Sequence, residues 1–473
     1  MLKQILSFFE TGFTASDEQR VKAKKEQLEI KELKRANHVK VESSKNNEFC
    51  FTQDQLSALD LLRSGKNIFI TGGAGTGKSY LLKKFIEECE AQNKSILVTA
   101  PTGIAAKNIN GATLHRTFFL PLGLISPKIL EDDPKLEQSK QEKRRKLLKY
   151  ADILVIDEIS MCRGDIFAFI ADLLLDQRDN NHEIQLVLCG DFSQLPPVIS
   201  SNEKKSFESL FPTNSRGWAF LTDQWKLLNI YTIELHQIVR QDNPLFANAL
   251  NQIRYGNKDG LKYINEHRAR SEIENAISIC GRNRHAGYIN ESKLDLISSP
   301  SKTYDIKIKG EVKTSDICCD EHLTLKEGAR VIVLINDRNG EQYQNGSFGT
   351  VTKLFDDKVK ILLDDETYAD IPLNTWEIYG YEPDPLSEKI KKIVIGTYQQ
   401  LPLRLGWAVT VHKAQGATYK SVNIENTSFW EVGQMYVALS RCKQIERMYY
   451  KNDLSEFSLK SSIEAIRFNC SLK

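Results

Sequence analysis

The stretch Gly72-Gly-Ala-Gly-Thr-Gly77-Lys78-Ser79 follows an apolar run, Ile68-Phe69-Ile70, and precedes a helical pattern that opens Tyr80-Leu-Leu-Lys-Lys-Phe. It satisfies G-x-x-x-x-G-K-[ST] in full, in the strand-then-helix setting the motif requires. Glycines let backbone N–H groups close around phosphate oxygens, and the N-terminus of the following helix adds positive potential. On this reading Gly72, Gly73, Ala74, Gly75, Thr76 and Gly77 cradle the phosphates of ATP, Lys78 reaches the β- and γ-phosphates, and Ser79 holds Mg²⁺.

Outward from that loop, short apolar runs recur at Asn67–Thr71, Ser95–Ala100, Ile153–Ile156 and Gln185–Cys189, with longer helical patterns between them. Such an alternation predicts an α/β fold with a parallel sheet covered on both faces. Ligands then sit beyond the carboxyl ends of the strands. The third run ends in Asp157-Glu158. Asp157 is placed to hold Mg²⁺ through water, and Glu158 to orient and deprotonate an attacking water. The fourth run leads to Gly190-Asp-Phe-Ser-Gln194, where Gln194 is either a γ-phosphate sensor or a turn residue. Gln55, at the start of an earlier helical pattern, carries the amide pair that reads adenine; as an exposed polar residue it would need no such role. Transition-state charge calls for an arginine from outside the P-loop domain. Arg240 and Arg441 are the candidates, against the commoner fate of a surface arginine.

The 473 residues suggest two to four domains at ~150 residues each. With 41% hydrophobic and 27% charged residues the composition is that of an ordinary globular protein. The 64 Lys+Arg against 62 Asp+Glu leave +2, so a nucleic-acid partner has to be argued from local features. No run approaches the ~20 apolar residues of a membrane span, and the nine scattered cysteines, with no C-x-x-C pair, fit a reducing compartment, cytoplasmic or nucleoid-associated. The expected domains are a helical, charged segment over 1–48, a first α/β unit over 49–213, a second over 214–303 and 397–473, and a small all-β insert over 304–396. The insert is expected from short alternating runs punctuated by Asn339-Gly340, Asn345-Gly346 and Asp364-Asp365.

The order of these motifs resembles the superfamily 1 DNA helicases of the Pif and RecD type, closest to the Pif (petite integration frequency) family, over about 51–443. Gln55 matches the Q-motif and Gly72–Ser79 motif I. Thr99-Ala-Pro101-Thr102-Gly103 matches motif Ia, Thr113-Leu-His115-Arg-Thr-Phe118 motif Ib, and Asp157-Glu158 motif II. Gly190–Pro197 matches motif III, Leu235–Asp242 motif IV, Val409–Thr418 motif V and Tyr436–Cys442 motif VI. The resemblance implies two RecA-like P-loop domains with ATP between them and a Src-homology-3-like β insert. It makes Gln55 the adenine reader, Gln194 the γ-phosphate sensor, Arg240 and Arg441 the arginine fingers, and Gly416 a further nucleotide-site residue. Pro101, Thr102, Gly103, His115, His412 and Lys413 become the DNA track. The short loop near 116–125, with Phe118 and Phe119, becomes a strand-separating wedge; from the residues alone it reads equally as a core strand.

The activity implied is an ATP-dependent DNA helicase moving 5′ to 3′ on single-stranded DNA and opening duplexes at single-strand/double-strand junctions, in replication, recombination or repair. A translocase that remodels nucleoprotein with little unwinding, and a viral-type RNA helicase, are the alternatives. A P-loop phosphotransferase predicts one α/β domain and none of motifs IV to VI. At the N-terminus, Gln4-Ile-Leu-Ser-Phe8-Phe9 loosely resembles sliding-clamp-binding peptides, while Leu2, Ile5, Leu6, Phe9 and Phe13 also form one helical face suited to packing on the first domain.

Overall fold

The computed structural model describes residues 51–121, 123–125, 134–241, 243–337, 342–384 and 386–472. Both N-terminal readings, the clamp peptide and the packed helix, lie outside the described residues. Strands β1 (Ile68–Gly72), β2 (Ile96–Ala100), β3 (Ala112–Thr113), β4 (Ile153–Ile156), β5 (Gln185–Cys189) and β6 (Tyr231–Leu235) form one sheet in the order β3-β2-β4-β5-β1-β6. Every pair in it is parallel. β1, β4 and β5 are buried along their whole length. Their uninterrupted apolar runs serve two cores at once: Phe69, Leu154 and Leu188 enter one, and Ile68, Ile70, Val155 and Val187 the other. This is the mixed α/β arrangement with a parallel sheet that the sequence predicts, and the sheet is RecA-like, as the family resemblance implies.

The first sheet runs past the expected boundary at 213. β6 pairs with β1 from Ile68↔Tyr231 to Gly72↔Leu235, so Tyr231–Leu235 is the edge strand of the first unit rather than part of the second. As an edge it is only partly covered, which is why it lacks the solid apolar run of its neighbours.

The second parallel sheet has the order β18-β7-β19-β20, from β7 (Ile277–Cys280), β18 (Ala408–Thr410), β19 (Val422–Ile424) and β20 (Met448–Tyr449). Between β7 and β18 lies antiparallel structure over 301–405, somewhat wider than the expected 304–396. β8 (Ser301–Asp305) pairs with β10 (His322–Lys326). β11 (Arg330–Val333), β12 (Phe348–Leu354), β13 (Lys358–Leu363), β14 (Tyr368–Pro372) and β17 (Leu403–Leu405) form a five-stranded sheet. Leu323, Val331, Val359 and Ile361 share a separate core there. The long hairpin of β15 (Asn374–Asp384) and β16 (Lys389–Gln400), with β9 (Lys307–Gly310) on its edge, reaches the first unit. The Tyr381 hydroxyl donates to Val98 O and accepts from Val98 N–H, both at 3.1 Å, and its ring joins the first core.

The helix Ile463–Ser471 also departs from expectation. Its Phe468 stacks on Phe220 at 4.4 Å and 22° and meets Phe192 edge-on, so the end of the chain returns from the second unit to brace the first. Among the described residues no helix is long and apolar enough to cross a membrane.

Candidate active site

Sheet order brings the site together. β4, β5 and β1 are neighbours, so Asp157, Gln194 and the loop Gly72–Lys78 emerge side by side at their carboxyl ends. The helix Lys78–Ala91 starts from Gly77 in the left-handed region with no side-chain cap. Its first-turn N–H groups are therefore directed at whatever occupies the loop. A cleft of about 240 Å³ is lined by Gly75, Lys78, Ser79, Glu158, Gln194 and Gly416, and by Arg240 and Arg441.

The charges in this cleft are poorly satisfied without an anion. Lys78 Nζ donates to Gly72 O at 2.8 Å and Gly73 O at 3.0 Å, and burial lowers its pKa. Arg441 is 1% exposed. Among the described residues its guanidinium finds only neutral acceptors, chiefly Val437 O at 2.8 Å, Ser440 Oγ at 2.6 Å and Ala417 O at 3.2 Å. Burial, then the neighbouring Arg240, pushes it down to about 9. Arg240 donates to Ser440 O at 3.4 Å, and burial lowers it too. Burial raises the Asp157 carboxyl. Burial and then Asp157 push Glu158 up to about 7. Cations and acids are each held away from their preferred charge state, a condition that a polyphosphate and a divalent cation would relieve. Ser79 and Asp157 line the same cleft and are the residues that could hold Mg²⁺, which would supply charge neutralisation at the phosphates.

The second unit is docked on the loop. Val239 N–H donates to Gly75 O at 2.9 Å. Gly75 has φ +88°, and a Cβ there would stand 2.5 Å from Arg240 Cβ, so only glycine lets the Arg240 segment come this close. Gln55 is buried; its Nε2 donates to Thr76 O at 3.0 Å and its Oε1 accepts from Thr52 N–H at 3.0 Å. One N–H and one lone pair of the amide are thus engaged with the protein. Gln55 is not an exposed polar residue but is buried against the P-loop, and Arg240 and Arg441 line the cleft rather than the open surface.

Three residues of the site received no role from the sequence alone. Gln415 Nε2 donates to Glu158 Oε2 at 3.0 Å and lies 3.5 Å from Gln194 Oε1, joining motif V to the acid pair. Tyr436 accepts from Ala74 N–H at 3.0 Å and donates to Asp191 Oδ2 at 3.3 Å. Arg254, fully buried, donates to Asp191 Oδ1 at 3.0 Å and Thr71 Oγ1 at 3.2 Å and pairs with Glu234. In the sequence Arg254 stands in the family-like stretch Leu250–Gly256 after motif IV, as a charge beside the apolar helix positions Phe246, Leu250 and Ile253.

The proposed DNA residues fall in separate places. Thr102 caps the helix Gly103–Asn108. A Cβ on Gly103 would lie 2.2 Å from Ser315 O, so the insert covers it. Arg116 donates to Asp316 Oδ2 at 2.5 Å, Lys107 to Cys318 Sγ at 3.1 Å, and Lys413 stands 3.7 Å from Asp320. The insert segment Ser315–Asp320 therefore contacts the first unit's Gly103 and Arg116 and the second unit's Lys413. His412 lines a different groove with Pro197, Val198 and Trp430; Trp430 is 50% exposed, with the Arg282 guanidinium 5.8 Å from its ring. His115 lines a third groove. Phe118 is a correction: at 0% exposure in the first core it cannot meet a base. Phe119, next along, has φ +49°, turning the chain so that one ring points inward and the next stays partly exposed.

A family model for PIF1-like helicases matches residues 46–262. The ATP-dependent DNA helicase Pif1 of Bdellovibrio bacteriovorus is 31% identical over 418 residues, 85% of this chain and 88% of the relative. The crystal structure of Pif1 from a Bacteroides species in complex with ADP-AlF4 is similar at a TM-score of 0.77 and 34% identity, covering 90% of this chain and 97% of that one. The Bacteroides Pif1 bound to single-stranded DNA gives a TM-score of 0.60 at 33% identity with the same coverage.

Proposed function

This chain belongs to the PIF1-like helicase family, and from that premise we propose how its residues divide the work of an ATP-dependent DNA helicase. It is an ATP hydrolase acting on DNA. The observation that carries the assignment of roles is the cleft in which Lys78, Glu158, Gln194, Arg240 and Arg441 converge from two units. Lys78 and the loop N–H groups bind the phosphates, while Glu158, oriented by Gln415, takes the proton of the attacking water. Arg240 and Arg441 stabilise charge at the transferred phosphoryl group. Because both arginines belong to the second unit, phosphate draws the units together and its loss lets them part. A two-state equilibrium biased in this way becomes a step along a strand gripped alternately by each unit. The direction, 5′ to 3′, rests on the family resemblance.

The test is the ATPase rate with single-stranded DNA, single-stranded RNA and no nucleic acid, beside strand separation on 5′-tailed and 3′-tailed duplexes. Stimulation by DNA with opening of the 5′-tailed duplex is expected. Equal stimulation by RNA would favour the RNA-helicase reading, and stimulation without strand separation the remodelling translocase.

The track is closed in this arrangement. Asp316 and Asp320 sit on Arg116 and Lys413, where a strand crossing both units would place phosphates, so Ser315–Asp320 has to lift for DNA to reach Gly103. Asp316→Asn, which keeps the cap on Lys313 N–H but weakens the Arg116 pair, should tighten single-strand binding severalfold in fluorescence anisotropy; unchanged affinity would remove the latch. Trp430 offers the exposed aromatic face of a stacking platform near His412. Trp430→Ala should weaken single-strand binding by ~1–3 kcal/mol, read by the same titration, with ATPase in the absence of DNA unchanged.

A further inference from the structure

The helix Pro134–Lys149 carries charge that neither the fold nor the nucleotide cleft uses. Lys140, Lys143 and Lys146 repeat every third residue and line a groove of about 770 Å³. Among the described residues none of the three forms an ion pair with a carboxylate, and Lys143 and Lys146 are exposed. Three like charges within about 9 Å of helix repel one another unless an anion lies along them. The acids on the groove wall are Glu311 and Glu382; Glu311 faces Arg116 at 3.9 Å, and Lys313 adds a further cation.

The lysines are fixed to the loop after His115. Arg144, 1% exposed, donates Nε to Phe118 O at 2.6 Å and Nη2 to Phe119 O at 3.3 Å. The far side of the loop is held by Arg163, which donates to Gly123 O at 2.5 Å, and by Asp165, which accepts from Ile125 N–H at 2.8 Å. The Phe119 ring lies 5.5 Å from Lys143 Nζ and lines the groove with Pro121. A row of cations beside a partly exposed ring is the combination that holds single-stranded nucleic acid: phosphates on the charges and a base on the ring.

The translocating strand has to touch both units to be moved. This groove contains first-unit and insert residues and none of the second unit's candidates, His412 or Lys413. We propose that Lys140, Lys143, Lys146 and Phe119 bind the displaced strand of a fork, the strand the motor does not travel on, as it leaves the junction at the loop. The four residues all belong to the first unit, while insert residues wall the other side of the groove. The proposal rests on the helicase reading above and adds to it a second binding site for DNA.

The experiment uses the full chain and two substrates: a 5′-tailed duplex, and the same duplex with an unpaired arm on the opposite strand. The parent should bind the armed fork more tightly. Three phosphate contacts at ~0.7 per contact give a salt slope steeper by ~2, so the arm's advantage should shrink roughly 15- to 20-fold between 50 and 200 mM salt. In K140Q/K143Q/K146Q the advantage should vanish, while affinity for the 5′-tailed duplex and single-strand-stimulated ATPase stay at the parent's values. Phe119→Ala should reduce the advantage without changing its salt slope. A parent indifferent to the arm, or a triple variant that keeps the preference, overturns the proposal. So does a triple variant that loses affinity equally for both substrates, which would place the duplex on the lysines. A parent without DNA-stimulated ATPase would instead be a failure of the helicase reading.

Discussion

Replacing Glu158 by Gln should cut ATP turnover ~10²–10⁴-fold, the range of a lost general base, while leaving ATP and Mg²⁺ binding in place. The amide preserves shape, and Lys78, Ser79 and Asp157 are untouched. In the parent, Glu158 is held up to about 7 by burial and by Asp157, so kcat/KM should climb as pH rises through about 7 and flatten above it. That midpoint belongs to the carboxyl pair. The same substitution should act on stability in the opposite sense. Glu158 ionises near 4.5 when unfolded and near 7 when folded. Its contribution to stability is therefore present below 4.5 and is lost as pH rises through 7. Above that, the nucleotide-free parent carries a buried charge that Gln does not. At pH 8 the variant should melt at a higher temperature than the parent, the difference closing toward pH 5. Turnover near the parent's rate would remove Glu158 from the role of base; an unchanged melting temperature at pH 8 would mean that the carboxylate is already relieved without nucleotide.

Arg441→Ala and Arg240→Ala should each lower DNA-stimulated turnover by ~10³ or more, as arginine fingers do, with DNA affinity largely retained. Arg441 is the sharper case, because its guanidinium is buried against neutral acceptors and pushed down to about 9 beside Arg240. A cation held in that condition is stabilised when an anion arrives. Arg441→Lys should not restore the rate, since a single ammonium cannot keep the contacts to Val437, Ala417 and Ser440 and also reach phosphate. Single-turnover hydrolysis with and without DNA separates the step from product release. Normal stimulated turnover in either variant would take that arginine out of the finger role.

Much of the chemistry was legible because it depends on local chain properties. The P-loop has to be glycine-rich where backbone closes on phosphate, and it has to join a strand to a helix. A parallel sheet covered on both faces needs continuous apolar strands, so β1, β4 and β5 stand out in the sequence, and their ends single out Asp157 and Glu158, with Gln194 open between γ-phosphate sensor and turn residue; sheet order made them neighbours. Motif order then extended the reading to a second unit and to Arg240 and Arg441.

What the sequence could not decide are relations between distant segments, which leave no local period. β6 is only half-covered, so its pattern did not tie it to the first sheet; the hydrogen-bonding edge of β1 did. The helix around Phe468 is amphipathic wherever it docks, and only the aromatic cluster of Phe192, Phe220 and Trp225 determines that it docks on the first unit. Phe118 and Phe119 are identical in composition, and a single left-handed residue sends one ring into the core and leaves the other beside Lys143. Gln415, Tyr436 and Arg254 are ordinary polar residues until the fold sets them against Glu158, Ala74 and Asp191. The residues of the P-loop and the resemblance carried by the motif order pointed to a nucleoside triphosphate bound between paired α/β units; the tertiary structure decided which buried cations meet neutral acceptors, because that depends on what packs around each charge.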